Sequence, residues 1–243
     1  MCTRLRIASR AMSTDFSPEL QSYGGWIAAA AIQQQDLFND VVGPDSLQAD
    51  LDARTLGGER GVLHGISLLG SFSELDRTWL WGWANPGFGP DAPAAASTLA
   101  IREFGERHGI GEFTAESPDL SGFEQPAQAA ITLAITAGSV LGGRGVWSTA
   151  INEGRGHVYL HVADEQMPLA GFDAIATPRL LMTAISVFPA DHRQVVRGYF
   201  HHFGLQYDEG PDAIRGTAPN GSTVVVDFDE LGRVGNVSVQ PKA

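Results

Sequence analysis

The sequence predicts an α+β fold: helices packed on an antiparallel sheet, plus a small C-terminal helix–helix–three-strand annex. Two kinds of observation carry that prediction. Apolar residues at helical spacing, opened by cap residues and closed by glycine or proline, recur along the chain. Between them lie short runs of strand character joined by tight turn sequences, so that consecutive strands pair antiparallel.

In order, Ser17-Pro18 is a helix start, with Ser at the N-cap and Pro at the first helical position. Leu20, Tyr23, Ile27, Ala30, Ala31, Leu37, Phe38 and Val41 follow at helical spacing until Gly43-Pro44, and Gly24-Gly25 inside the run is expected to kink it. Three strand runs come next, roughly 47–54, 61–73 and 78–84, and are expected to form one meander. The last holds three of the five tryptophans, Trp79, Trp81 and Trp83, at two-residue spacing that puts them on one face of a strand. Asn85-Pro86 takes the chain out of it.

A second helix runs from Asp91-x-Pro93 to about His108, with Gly109 as its left-handed stop and Ile110 after it. Pro126 opens a third whose stretch Ala129–Leu141 has no charge, as expected of a helix buried on all sides. A hairpin follows, about 145–151 and 156–163, turning at Glu153-Gly154. From about residue 165 the character changes, giving three expected regions: a disordered extension over 1–11, a main domain over 12–165 and an annex over 166–243. The annex reads as a helix from Thr177-Pro178, a helix capped by Asp191, and strands near 212–218, 222–229 and 233–239. Asn220-Gly221 is a two-residue hairpin turn.

Composition excludes several functions. Of 16 basic residues only Lys242 is a lysine, so neither a Schiff-base site nor a P-loop can be built. The single cysteine, Cys2, leaves no internal disulfide, thiolate metal site or iron–sulfur cluster. No cofactor is therefore expected. A net charge of −12 repels phosphate backbones and anionic membranes, so no nucleic-acid or membrane partner is expected. No run of 18 apolar residues crosses a bilayer, and the basic start lacks the apolar core of a signal peptide; the expected location is cytoplasmic.

Two constellations are candidate sites. Trp79, Trp81 and Trp83, with Asn85 beside them, form either the core, a platform for a ligand or partner, or a homodimer face. His157, Tyr159 and His161 alternate along a strand, sharing an expected exposed face while Val158, Leu160 and Val162 point to the core. Two histidines four apart in a strand lie ~13 Å apart at about 3.3 Å per residue, too far to share a metal, and none is expected. His108 and His201-His202 sit in last turns of helices, where imidazole complements the dipole.

The pairing of W-L-W-G-W-A-N-P at Trp79–Pro86 with I-R-E-F-G-E-R-H-G-I at Ile101–Ile110 resembles an actinobacterial domain family of unknown function. Its hallmark is a W-x-W-A-N-P strand and then a helix ending F-G-x-x-H-G-I, and the likeness covers about residues 16–163. It implies no activity, cofactor or catalytic residue. What remains is an acidic chain with an aromatic patch, which suits a non-enzymatic binding protein for a basic protein partner, immunity-like or scaffolding. The alternative is an enzyme or small-ligand binder using a Trp- and His-lined groove.

Overall fold

A computed structural model describes residues 16–43, 46–88 and 92–240. The expected extension over 1–11 and the expected helix start at Asp91 lie outside those residues.

Helix α1 (Pro18–Val42) starts as its cap sequence dictates: Ser17 Oγ accepts the Leu20 N–H at 3.2 Å. It runs unbroken through Gly24-Gly25, and this corrects the expected kink. The reason for Gly24 is steric, since a Cβ there would stand 2.3 Å from the Phe188 ring.

The expected single meander is two sheets. Strands β1 (Gln48–Asp50), β2 (Thr55–Gly58) and β3 (Gly61–His64) form one. Strands β4 (Ser67–Ser73), β5 (Trp79–Trp81), β6 (Gly145–Ile151) and β7 (Gly156–Val162) form a central antiparallel sheet of order β5-β4-β7-β6. The break falls at Gly65, whose φ of +72° takes the chain out of extended conformation and into the second sheet. Leu69 is an extra residue where Leu68 pairs with Leu160 and Gly70 with Tyr159. Leu68 joins the apolar cluster of one face and Leu69 that of the other. The bulge shifts the alternation, so that Gly70, two residues after Leu68, pairs with Tyr159 on the second face.

The second expected helix is two, α2 (Pro93–Ala96) and α3 (Leu99–His108), followed by a single turn, α4 (Gly111–Thr114). Gly109 is the left-handed stop, and the Ile110 N–H returns to Gly105 O at 2.9 Å. Helix α5 (Pro126–Val140) covers one face of the central sheet. Its uncharged run is explained by burial, with Ala129, Ala130, Leu133, Ala134 and Ala137 all sealed from solvent.

After residue 165 come α6 (Thr177–Val187) and α7 (His192–His202), the latter capped by Asp191, whose carboxylate accepts the Gln194 N–H at 2.9 Å. The three expected strands are β9 (Ala213–Thr217), β10 (Thr223–Phe228) and β11 (Val234–Gln240). A fourth, β8 (Gln206–Glu209), completes a sheet of order β11-β10-β9-β8. Helix α1 lies against both α6 and α7. Its contact with α7 is backbone-close, because a Cβ on Gly198 would fall 1.9 Å from Trp26 O. One apolar cluster consequently runs from Trp79 and Leu133 through Leu20 and Ala28 to Phe200, Val226 and Phe228.

Candidate functional site

The expected tryptophan stripe is divided by the end of its strand. Trp79 and Trp81 on β5 are wholly buried, at 0 % exposure. Their rings stand 5.2 Å apart, Trp79 leans on Tyr159 at 5.0 Å, and the Trp81 indole N–H donates to Glu112 O at 2.9 Å. Trp83 is not in the strand: Gly82–Ala84 form a 3-10 turn, which corrects the single shared face. Trp83 is half-buried at the edge of the core, with the Arg102 guanidinium 5.2 Å above its ring. Asn85 closes that turn, and its side-chain oxygen accepts the Gly87 N–H at 2.9 Å.

The expected exposed face of β7 is also corrected. Tyr159 and His161 are buried, because α5 covers that side of the sheet. The opposite side, with Leu160 and Val162, is covered by Phe38, Leu56 and Met167. Burial, with the Arg54 charge adding to it, pushes His161 down from 6.5 to about 4, so the imidazole is neutral. Its Nε2 faces the stop of α5, where a Cβ on Gly143 would lie 2.9 Å away. Burial likewise raises the Tyr159 phenol, with Glu74 adding to the shift. Only His157 reaches solvent, 3.6 Å from the Glu74 carboxylate. The seven residues thus divide between a dry core and a rim. Among the described residues no group of three or more His, Cys, Asp or Glu is placed to hold a metal ion.

A large concavity lies elsewhere, between α1 and α6 under the connector 170–173, with a volume of about 930 Å³. Helical periodicity builds both walls. Gln33, Asp36, Leu37 and Asp40 form one face of α1; Arg179, Met182, Thr183 and Ser186 form the facing stripe of α6. Arg179 bridges the walls with a 2.7 Å contact to Asp36. Gln33 ties the connector down: its Nε2 donates to Gly171 O at 2.6 Å, and its Oε1 accepts the Tyr199 hydroxyl at 2.9 Å. Burial, opposed by the Thr177 hydroxyl, raises Tyr199 to about 12, so that phenol stays a donor. Asp173 is held in a turn, where one carboxylate oxygen accepts the Ile175 and Ala176 N–H groups at 2.8 and 3.1 Å.

Three aspartates against one arginine make the groove acidic. Apolar side chains stand open on and around it. Met182 on its wall is 47 % exposed, and Val41, Leu169 and Ile175, next in the chain to lining residues, are 40, 65 and 92 % exposed. None of these residues was among the sequence candidates. The signal present was weak: Asp36 and Asp40 on one face of a mostly apolar helix, and Met182 on the outer side of another. That the two faces lie side by side depends on a contact between segments about 145 residues apart.

No curated protein and no solved structure matches the chain. A family model does, over residues 26–165, which spans most of α1, the first two sheets and α5. The chain therefore belongs to the family of unknown function DUF6882.

Proposed function

We propose that the chain is a binding protein whose α1–α6 groove receives a basic protein partner. The single observation that carries the reading is the combination of Asp36, Asp40 and Asp173 with the exposed Met182 on one concave surface, with exposed Ile175 and Leu169 next in the chain to its lining residues. Acidic walls steer and orient a cationic partner, while the exposed apolar side chains on and around the groove supply the area that binds it. A second copy of this −12 chain would bring like charge to the groove, so a basic protein fits better than a homodimer. Neutralising a basic toxin domain or scaffolding a basic subunit are both uses of such a surface.

The test is a photo-crosslinking amino acid at Met182, with the same group at Leu231 as the control. Leu231 is 76 % exposed on the turn after β10. The expected result is capture of a basic protein from 182 alone, with affinity for the purified partner falling about tenfold in Asp40→Lys, equivalent to about 1.4 kcal/mol. Equal labelling from both positions, or capture of this chain itself, refutes the reading.

A further inference from the structure

A second concave surface lies at the other end of α1. Glu19, Tyr23 and Trp26 recur at helical spacing on one side of that helix, and Phe104 and His108 on α3 form the facing wall. The trough holds about 490 Å³. Three of its rings pack in a row: Tyr23 to Phe104 is 4.7 Å between centroids, and Phe104 to His108 is 4.2 Å, while Trp26, also on the trough, leans on His201 at 5.4 Å. Tyr23, Trp26 and Phe104 are each half-buried and line the trough. Glu19 is exposed at the trough, and among the described residues no arginine or lysine lines it.

We propose that this trough binds a quaternary ammonium group. Ring faces carry negative electrostatic potential and attract a cation placed over them, most effectively when the cation is weakly hydrated. A trimethylammonium group meets both demands of the site. Its methyl groups bury against Trp26, Tyr23 and Phe104, and its diffuse charge is balanced by Glu19. A primary ammonium holds its water too tightly to enter an apolar trough, and an anionic ligand is repelled by the carboxylate. The chemistry is shared by choline-like small molecules and by a trimethylated lysine in a peptide. This site is separate from the α1–α6 groove, and either can fail without the other.

Calorimetric titration of the full chain tests it with choline, with a short peptide containing trimethyl-lysine, and with 3,3-dimethylbutan-1-ol, the uncharged isostere of choline. One of the two cations is expected to bind with a dissociation constant below about 5 mM, the isostere at least about tenfold more weakly. Binding by choline assigns the site to a small molecule, and binding by the peptide alone assigns it to a modified protein. Glu19→Gln should weaken the cation about fivefold, and Trp26→Leu should abolish binding. Glu19 is exposed, so that variant keeps the test valid if Trp26→Leu fails to fold. The proposal is overturned if neither cation binds, if the isostere binds as well, or if Glu19→Gln leaves the affinity unchanged.

Discussion

The central sheet and the C-terminal sheet have the same number of strands and the same antiparallel pairing, but they are buried differently. In the central sheet β4 and β7 are covered on both faces, by α5 on one side and by the Phe38, Leu56 and Met167 cluster on the other. In the C-terminal sheet, among the described residues, only the face towards α6 and α7 is covered. Strand β10 alternates in consequence, with Val224, Val226 and Phe228 inward and Thr223, Val225 and Asp227 partly open. The number of covers, rather than strand composition, decides whether a polar side chain in a strand faces water or is dehydrated. His161 and Asp227 show the two outcomes.

If the comparison holds, the largest effects belong to the doubly covered sheet. Trp81→Ala should cost about 3–5 kcal/mol in urea unfolding, because the ring is fully buried, packs on Trp79 and Phe113, and donates a hydrogen bond that would be lost with it. A cost below about 1 kcal/mol would mean that this face of the sheet is not sealed. Acrylamide should fail to quench Trp81 in a single-tryptophan variant and should partly quench Trp83.

The next effect is a pH dependence carried by His161. Its folded value, about 4, lies below the ordinary 6.5. A depressed value means that the unfolded chain binds the proton more tightly. The stabilisation is thus complete above pH 6.5 and is lost as pH falls from 6.5 towards 4, amounting to about 3 kcal/mol at the lower end. Unfolding free energies measured at pH 7, 5.5 and 4.5 should fall more steeply for the native chain than for His161→Gln. His192 and His202, also lowered chiefly by burial, titrate in both proteins and cancel in the difference. Parallel slopes would show that His161 is hydrated, and that the second cover is not closed over this sheet.

The same contrast explains what was readable in the sequence. Cap and turn signals were reliable, with Ser17 and Asp191 capping α1 and α7 and the hairpin of β6 and β7 turning at Asn152–Gly154, whereas the Gly24-Gly25 pair did not kink α1. Alternation identified β10 because that sheet has one open face. Applied to β7 the same rule gave the correct strand and an incorrect face, since the exposed side it assigned to Tyr159 and His161 is closed by a helix. The residues closing the other side, Phe38, Leu56 and Met167, come from three distant segments and carry no local mark of their role. Strand β8 was missed for the opposite reason. All four of its residues are exposed, and it pairs with β9 through backbone groups without an apolar pattern. The acidic groove needed knowledge of which helices touch, which spacing along one helix does not contain.

The smallest expected effect is the most discriminating, because it compares neighbours in one strand. Val225 lies between Arg215 and Ser238 on adjacent strands, and Val226 lies between Ile214 and Val237. Replacing valine by threonine keeps shape and β-propensity and adds one hydroxyl. At 225 that hydroxyl meets a polar, half-open surface, and the change in unfolding free energy should stay within about 0.5 kcal/mol. At 226 it is sealed against Ile214 without water, so the cost should be about 1–3 kcal/mol. A single-cover sheet requires that difference between adjacent positions. Equal and large costs at 225 and 226 would mean that something covers the outer face of β10 in solution. Equal and small costs would mean that α6 and α7 do not hold the inner face closed.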